Sequence, residues 1–159
     1  MSDPDARDSI LNLHDAYLNT NLVRTLMEQS PCHETDPQPW LVSDRARLER
    51  LWWALTYVLI EAWEAADTKA QAIFNRCPST PKLASELSTL RDAGVIDEMR
   101  ECRHYMCHRD RRAYWDRGRL SAVGHLQEVR QLHMTFGDVF LEAFAELKNR
   151  SVDEERVDD

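Results

Sequence analysis

The sequence predicts an all-α fold, an antiparallel bundle of four to five helices forming a single domain. Three observations support this. Four glycines and six prolines in 159 residues are few breakers, and Leu, Ala, Glu and Arg, all good helix formers, recur throughout. Apolar residues return at steps of three and four instead of alternating. Three such runs are long, roughly 24–28 residues, and would each span about 36–42 Å at the helical rise. A chain of this length can bury one proper core and has little room for a second.

A first helix is expected from Asp5 to Glu28, with Ile10, Leu13, Tyr17, Leu18, Leu22 and Leu26 as its core-facing stripe. Pro31, Pro37 and Pro39 mark the loop that follows. Ser43 or Asp44 can cap a second long helix that reaches Ala66. That helix is unusually apolar, with Leu48, Leu51, Trp52, Trp53, Leu55, Tyr57, Val58, Leu59, Ile60 and Trp63. Such width suits a central bundle helix, or one that also meets another subunit. Residues 68–76 form a short continuation that breaks near Pro78. Pro81 sits at a first-turn position behind Ser79 or Thr80, and this helix stops at Gly94. The next runs from Ile96 to near His108, with Met99, Cys102, Tyr105 and Met106 on its apolar side. Residues 109–119 break the periodicity and read as a charged loop. A last helix is expected from Ser121 to Lys148, its stripe being Leu126, Val129, Leu132, Phe136, Val139, Phe140 and Phe144. The domain thus covers residues 1–149, and residues 150–159 form an acidic tail too poor in apolar residues to pack, expected to be disordered.

Composition excludes some classes. No apolar run approaches the length of a membrane span. The N-terminus MSDPDARDS is acidic and polar, unlike an export signal, so the expected location is the cytoplasm. In that compartment Cys32, Cys77, Cys102 and Cys107 are reduced thiols. Zinc on Cys102 and Cys107 with His104 and His108 is a further possibility, but the spacing fits no common structural zinc pattern. No metal or cofactor is therefore expected.

The net charge of −8 argues against a surface that embraces nucleic acid as a whole. The distribution matters more. Residues 100–119 carry seven arginines, at 100, 103, 109, 111, 112, 117 and 119, against Glu101, Asp110 and Asp116. That segment is +4 and the remainder −12. Positive charge is local.

Within this segment, Arg103-His104-Tyr105-Met106-Cys107-His108 resembles the signature of the HEPN superfamily: arginine, a polar residue, a few variable positions, then histidine. The pattern is short, and Arg119 with His125 satisfies a loose version of it. The copy at 103–108 is distinguished by a polar second residue, by its place where an amphipathic helix meets a basic loop, and by the cluster around it. The competing copy has Leu120 second and opens an apolar helix.

The resemblance implies a HEPN-like bundle and an endoribonuclease that works without metal, as the toxin of a toxin–antitoxin or phage-defence system. Such a toxin would be restrained by an antitoxin or another regulatory protein. The chemistry would be attack of a ribose 2′-hydroxyl on the adjacent phosphorus, for which only RNA qualifies. His108 suits the base or the acid, because imidazole titrates near neutrality. Arg103 suits charge stabilisation at the phosphate, since guanidinium stays charged and its fork matches phosphate oxygens. His104 would orient His108 or touch the phosphate. Arg109, Arg111, Arg112, Arg117 and Arg119 would hold the RNA backbone, with Tyr114 and Trp115 stacking on bases.

Helix geometry limits a single copy. A five-residue step leaves Arg103 and His108 about 140° apart, whereas His104 and His108 share a face. HEPN proteins are typically dimers with composite clefts, so a homodimer is expected. In one respect the sequence departs from the family: a branch carries a modifiable tyrosine two residues after the motif histidine, and here that position is Asp110. Regulation by that route is not expected. Plainer readings stand beside these. His108 could serve only the carbonyls at a helix end, and the arginines could be a solvated loop paired with the acidic surface. The bundle would then be a non-catalytic RNA- or nucleotide-binding module, or a dimerisation domain.

Overall fold

A computed structural model describes residues 4–30, 44–107 and 125–157. Among the described residues there are six helices and no strand: α1 (Pro4–Gln29), α2 (Asp44–Glu64), α3 (Thr68–Phe74), α4 (Thr80–Asp92), α5 (Val95–Cys107) and α6 (Leu126–Val157). The protein is all-α, as the pattern predicts. None of these helices is long and apolar enough to cross a membrane.

α2 is the centre. It packs most extensively on α1 and next on α5, which accounts for its broad apolar surface within one chain. Trp52, Trp53, Ala54, Leu59 and Ile60 are all buried. α1 and α2 run antiparallel: the Arg45 guanidinium reaches the Ser30 carbonyl at one end (3.5 Å), and Asp67 accepts from Ser9 at the other. α6 lies against α1, α3 and α4. It too runs opposite to α1, since His14 meets Phe140 and Phe144 whereas Glu28 meets Arg130. One apolar cluster runs through all six helices.

Local chemistry explains the breaks. Asp67 caps α3 by accepting from the backbone N–H groups of Lys69 (2.9 Å) and Ala70 (2.8 Å), and those bonds hold its carboxyl below the usual range. Ser79 precedes α4, but its own side chain does not cap it. Its hydroxyl (2.7 Å) and backbone N–H (2.9 Å) both donate to Glu142 of α6, which places a carboxylate at the positive end of α4. Gly94, between α4 and α5, has φ +76°, the left-handed conformation that ends a helix without a Cβ penalty.

Several boundaries and one stripe differ from expectation. On α1 the buried track is Ala6, Ile10, Leu13, Thr20, Val23 and Met27, whereas Leu18, Leu22 and Leu26 are exposed. Two tracks at steps of three and four pass through this helix. The one chosen from the pattern avoids Thr20, yet Thr20 is buried at little cost because its hydroxyl donates to the Ala16 carbonyl (2.8 Å). α2 ends at Glu64 and α3 at Phe74, each two residues short of the expected ends. α6 is described from Leu126, the expected start at Ser121 lying outside the described residues, and it continues past Lys148 to Val157, through residues whose composition predicts a disordered tail. Glu and Arg in that stretch are good helix formers, and extending an existing helix adds one bond per residue fixed. The α6 stripe is as predicted, with Val129, Leu132, Phe136, Val139 and Phe140 fully buried.

α1 and α6 cross where Gly137 faces Tyr17. A Cβ at position 137 would lie 2.5 Å from the Tyr17 hydroxyl oxygen. The tyrosine ring fills the notch and stacks on His133, centroids 4.7 Å apart.

Candidate functional site

The last two turns of α5 carry Arg103 and His104, the predicted site residues that fall among those described. α5 forms because Gly94 ends α4, Asp97 and Glu98 stand in its first turn, and Met99 and Cys102 supply an apolar side. That side seats on α2, where the Cys102 thiol donates to the Arg50 carbonyl (3.3 Å).

Arg103 therefore sits on the edge of α5 nearest α2. Its guanidinium donates to Glu61 Oε2 at 2.5 Å and lies over the ring of Tyr57, 5.7 Å from the centroid. Both members of the pair are about two-fifths exposed, so water reaches the cation. The Tyr57 hydroxyl also bonds Glu61. Burial, then this bond and the carboxylate charge, raise the phenol above its usual value, with Arg100 and Arg103 pulling the other way. Arg100 pairs with Asp97 at 3.0 Å on the exposed side of the same helix. His104 is exposed and adjacent.

The structure thus brings together Arg103, Tyr57 and Glu61, with His104 and Arg100 alongside. His108, Arg109, Arg111, Arg112, Tyr114, Trp115, Arg117 and Arg119 lie outside the described residues, as do Cys32 and the side chains of Tyr105, Met106 and Cys107. Tyr57 and Glu61 were not expected at the site. A signal for them exists: they are four apart on one face of α2, and Glu61 is the first acid after Glu49 in a long apolar run.

Beyond the Arg103–Glu61 pair, a cleft of about 310 Å³ opens along α4, from Thr80 to Arg91, against the ends of α2 and α3. Trp63, Phe74 and Leu87 floor it, and Arg91 pairs with Glu64 across one side. Glu61 and Glu64 are three residues apart on α2, so two arginines from α4 and α5 clamp the end of that helix.

The remaining candidates are structural. His133 is buried, its Nε2 3.3 Å from Asn21 Oδ1, and Nδ1 has no partner. Burial first, and the Arg24 charge second, push its pKa down to about 4, so it is neutral at physiological pH. His14 packs edge-on against Phe140 and Phe144. Cys77 and Cys102 are buried thiols, and burial pushes Cys77 up to about 11, far from nucleophilic range. Among the described residues, no three of His, Cys, Asp and Glu gather as a metal site. No protein-family model, curated protein or solved structure matches this chain.

Proposed function

We propose that this chain is a HEPN-type endoribonuclease that cleaves RNA without metal. One observation carries the reading: at the end of α5, within the basic segment, Arg103 presents a guanidinium that is open to water yet held by Glu61 and Tyr57. A cation fixed before the substrate arrives stabilises developing phosphate charge without reorganising.

In this scheme His108 of one subunit takes the proton of a ribose 2′-hydroxyl. The freed oxygen attacks the adjacent phosphorus while Arg103 balances the equatorial charge. The P–O5′ bond breaks, and a second imidazole protonates the departing 5′-oxygen. The products are a 2′,3′-cyclic phosphate and a 5′-hydroxyl. His104 positions His108, and Arg109, Arg111, Arg112, Arg117 and Arg119 hold the backbone, with Tyr114 and Trp115 stacked on bases. One His108 as base and a second as acid require a homodimer. The biological setting is a toxin or phage-defence nuclease in the cytoplasm, restrained by an antitoxin or regulator.

The same pair favours a second reading, because Glu61 already neutralises Arg103. The chain is then a non-catalytic RNA- or nucleotide-binding module, or an interaction domain. Incubation of purified protein with end-labelled RNA in excess EDTA separates the readings. Cleavage that falls at least a hundredfold in His108→Ala and in Arg103→Ala supports the nuclease. Gel retardation without cleavage supports the binding module, and neither effect supports the interaction domain.

A further inference from the structure

The cleft along α4 combines an aromatic floor with a charged mouth. Thr80, Ala84, Leu87 and Arg91 recur at steps of three and four, so α4 turns one stripe toward it over about 16 Å. Opposite stand Trp63 and Glu64 from the end of α2, and Gln71 and Phe74 from α3. Trp63 is only partly buried, and its ring leans on Phe74 with centroids 4.4 Å apart. With Leu87 these rings offer an apolar surface on which a flat ring can lie. Ala84, exposed in the middle of the α4 stripe, is too small to fill the space above them.

Two of the walls are fixed by bonds to the backbone. Gln71 donates an amide N–H to the Ala66 carbonyl (2.9 Å), and the Thr80 hydroxyl donates to the Phe74 carbonyl (2.6 Å). Those bonds leave the oxygens of both side chains as acceptors, which suit the proton of a phenol or an indole.

The mouth carries both signs. Arg91 donates through Nη2 to Glu64 Oε1, and each side chain is about half exposed. That bond leaves other guanidinium N–H groups and the second carboxylate oxygen to bind a ligand. A ligand of one sign is drawn to one member of the pair and repelled by the other. An ammonium and a carboxylate side by side satisfy both. Size narrows the class further. A volume of about 310 Å³ equals that of on the order of ten waters, which suits a ligand of roughly 10–15 non-hydrogen atoms and is small for a whole nucleotide.

We infer that this cleft binds a free α-amino acid with an aromatic side chain. The ligand's carboxylate meets Arg91, its ammonium meets Glu64, and its ring lies among Trp63, Phe74 and Leu87.

The inference rests on the cleft alone and not on the nuclease reading, and its test uses no RNA. Titration of the chain with L-tryptophan, followed by two-dimensional amide NMR, is expected to give saturable shifts confined to α3, α4 and the end of α2. The expected dissociation constant is about 1 mM or below. Tryptamine lacks the carboxylate and indole-3-propionate lacks the ammonium, and each is expected to bind at least tenfold more weakly. Ala84→Leu, which fills the slot, and Arg91→Gln, which removes the cation, are each expected to weaken L-tryptophan at least tenfold. Ala72→Leu, exposed on α3 outside the cleft, leaves it unchanged. Far-UV circular dichroism checks the fold, and Arg91→Gln, which gives up only an exposed ion pair, decides if Ala84→Leu does not fold. Absence of saturable shifts at about 10 mM L-tryptophan, equal binding by both single-charge analogues, affinity unmoved by both substitutions, or tighter binding of adenosine monophosphate would each overturn the inference.

Discussion

His133 shows how one buried side chain ties stability to pH. The unfolded imidazole binds its proton near pH 6.5, while the folded one, desolvated beside Tyr17, Trp52 and Asn21, waits until about 4. Between those values the unfolded state holds more protons. Stability contributed by this group is therefore fully present above about pH 6.5 and is lost as pH falls toward 4, by about 3 kcal/mol in all. Urea midpoints at pH 7, 5.5 and 4.5 should follow that fall, and His133→Gln should flatten it. Arg103 tests the opposite case. Its pair with Glu61 is two-fifths exposed, so Arg103→Ala is expected to cost less than about 1 kcal/mol in a urea melt. A large loss of cleavage in that variant is then chemistry and not unfolding.

Among the elements, α4 depends on a cap it does not itself supply. Glu142 satisfies both the hydroxyl and the N–H of Ser79 from 63 residues away. Glu142→Ala is expected to lower the unfolding free energy by about 1–2 kcal/mol, with amide exchange accelerated first in the opening turn of α4. That dependence also shows what sequence conveys. Ser79, Pro81 and Gly94 announce the ends of α4, because caps and breakers act within a few residues. The carboxylate that completes the cap is non-local and leaves no trace in the pattern. The α1 stripe failed for a related reason: Leu18, Leu22 and Leu26 match helical periodicity as well as Thr20, Val23 and Met27 do, and only the partner helices decide which track is buried. At the site, the pattern marks Arg103 because its neighbours are unusual. Glu61 and Tyr57 reach it across the α2–α5 contact, which no short motif encodes.

For the molecule as a whole, charge and shape divide the work. The +4 segment is set in a body of −12, so a polyanion is attracted to one region and repelled elsewhere. RNA affinity measured against salt should have a log–log slope no steeper than about −5, the limit if all seven arginines of residues 100–119 each neutralise one phosphate. A steeper slope would mean that other surfaces take part. The approach of α1 to α6 depends in turn on the notch at Gly137 that the Tyr17 ring fills. Gly137→Ala is expected to destabilise by about 1–2 kcal/mol despite alanine's better helix propensity, and Tyr17→Phe in the same background should recover part of it. In a lineage where position 137 acquires a methyl group, position 17 must lose bulk at the same time. Inheritance is then expected to treat the two residues as one character, so that Gly travels with Tyr and Ala with a shorter neighbour.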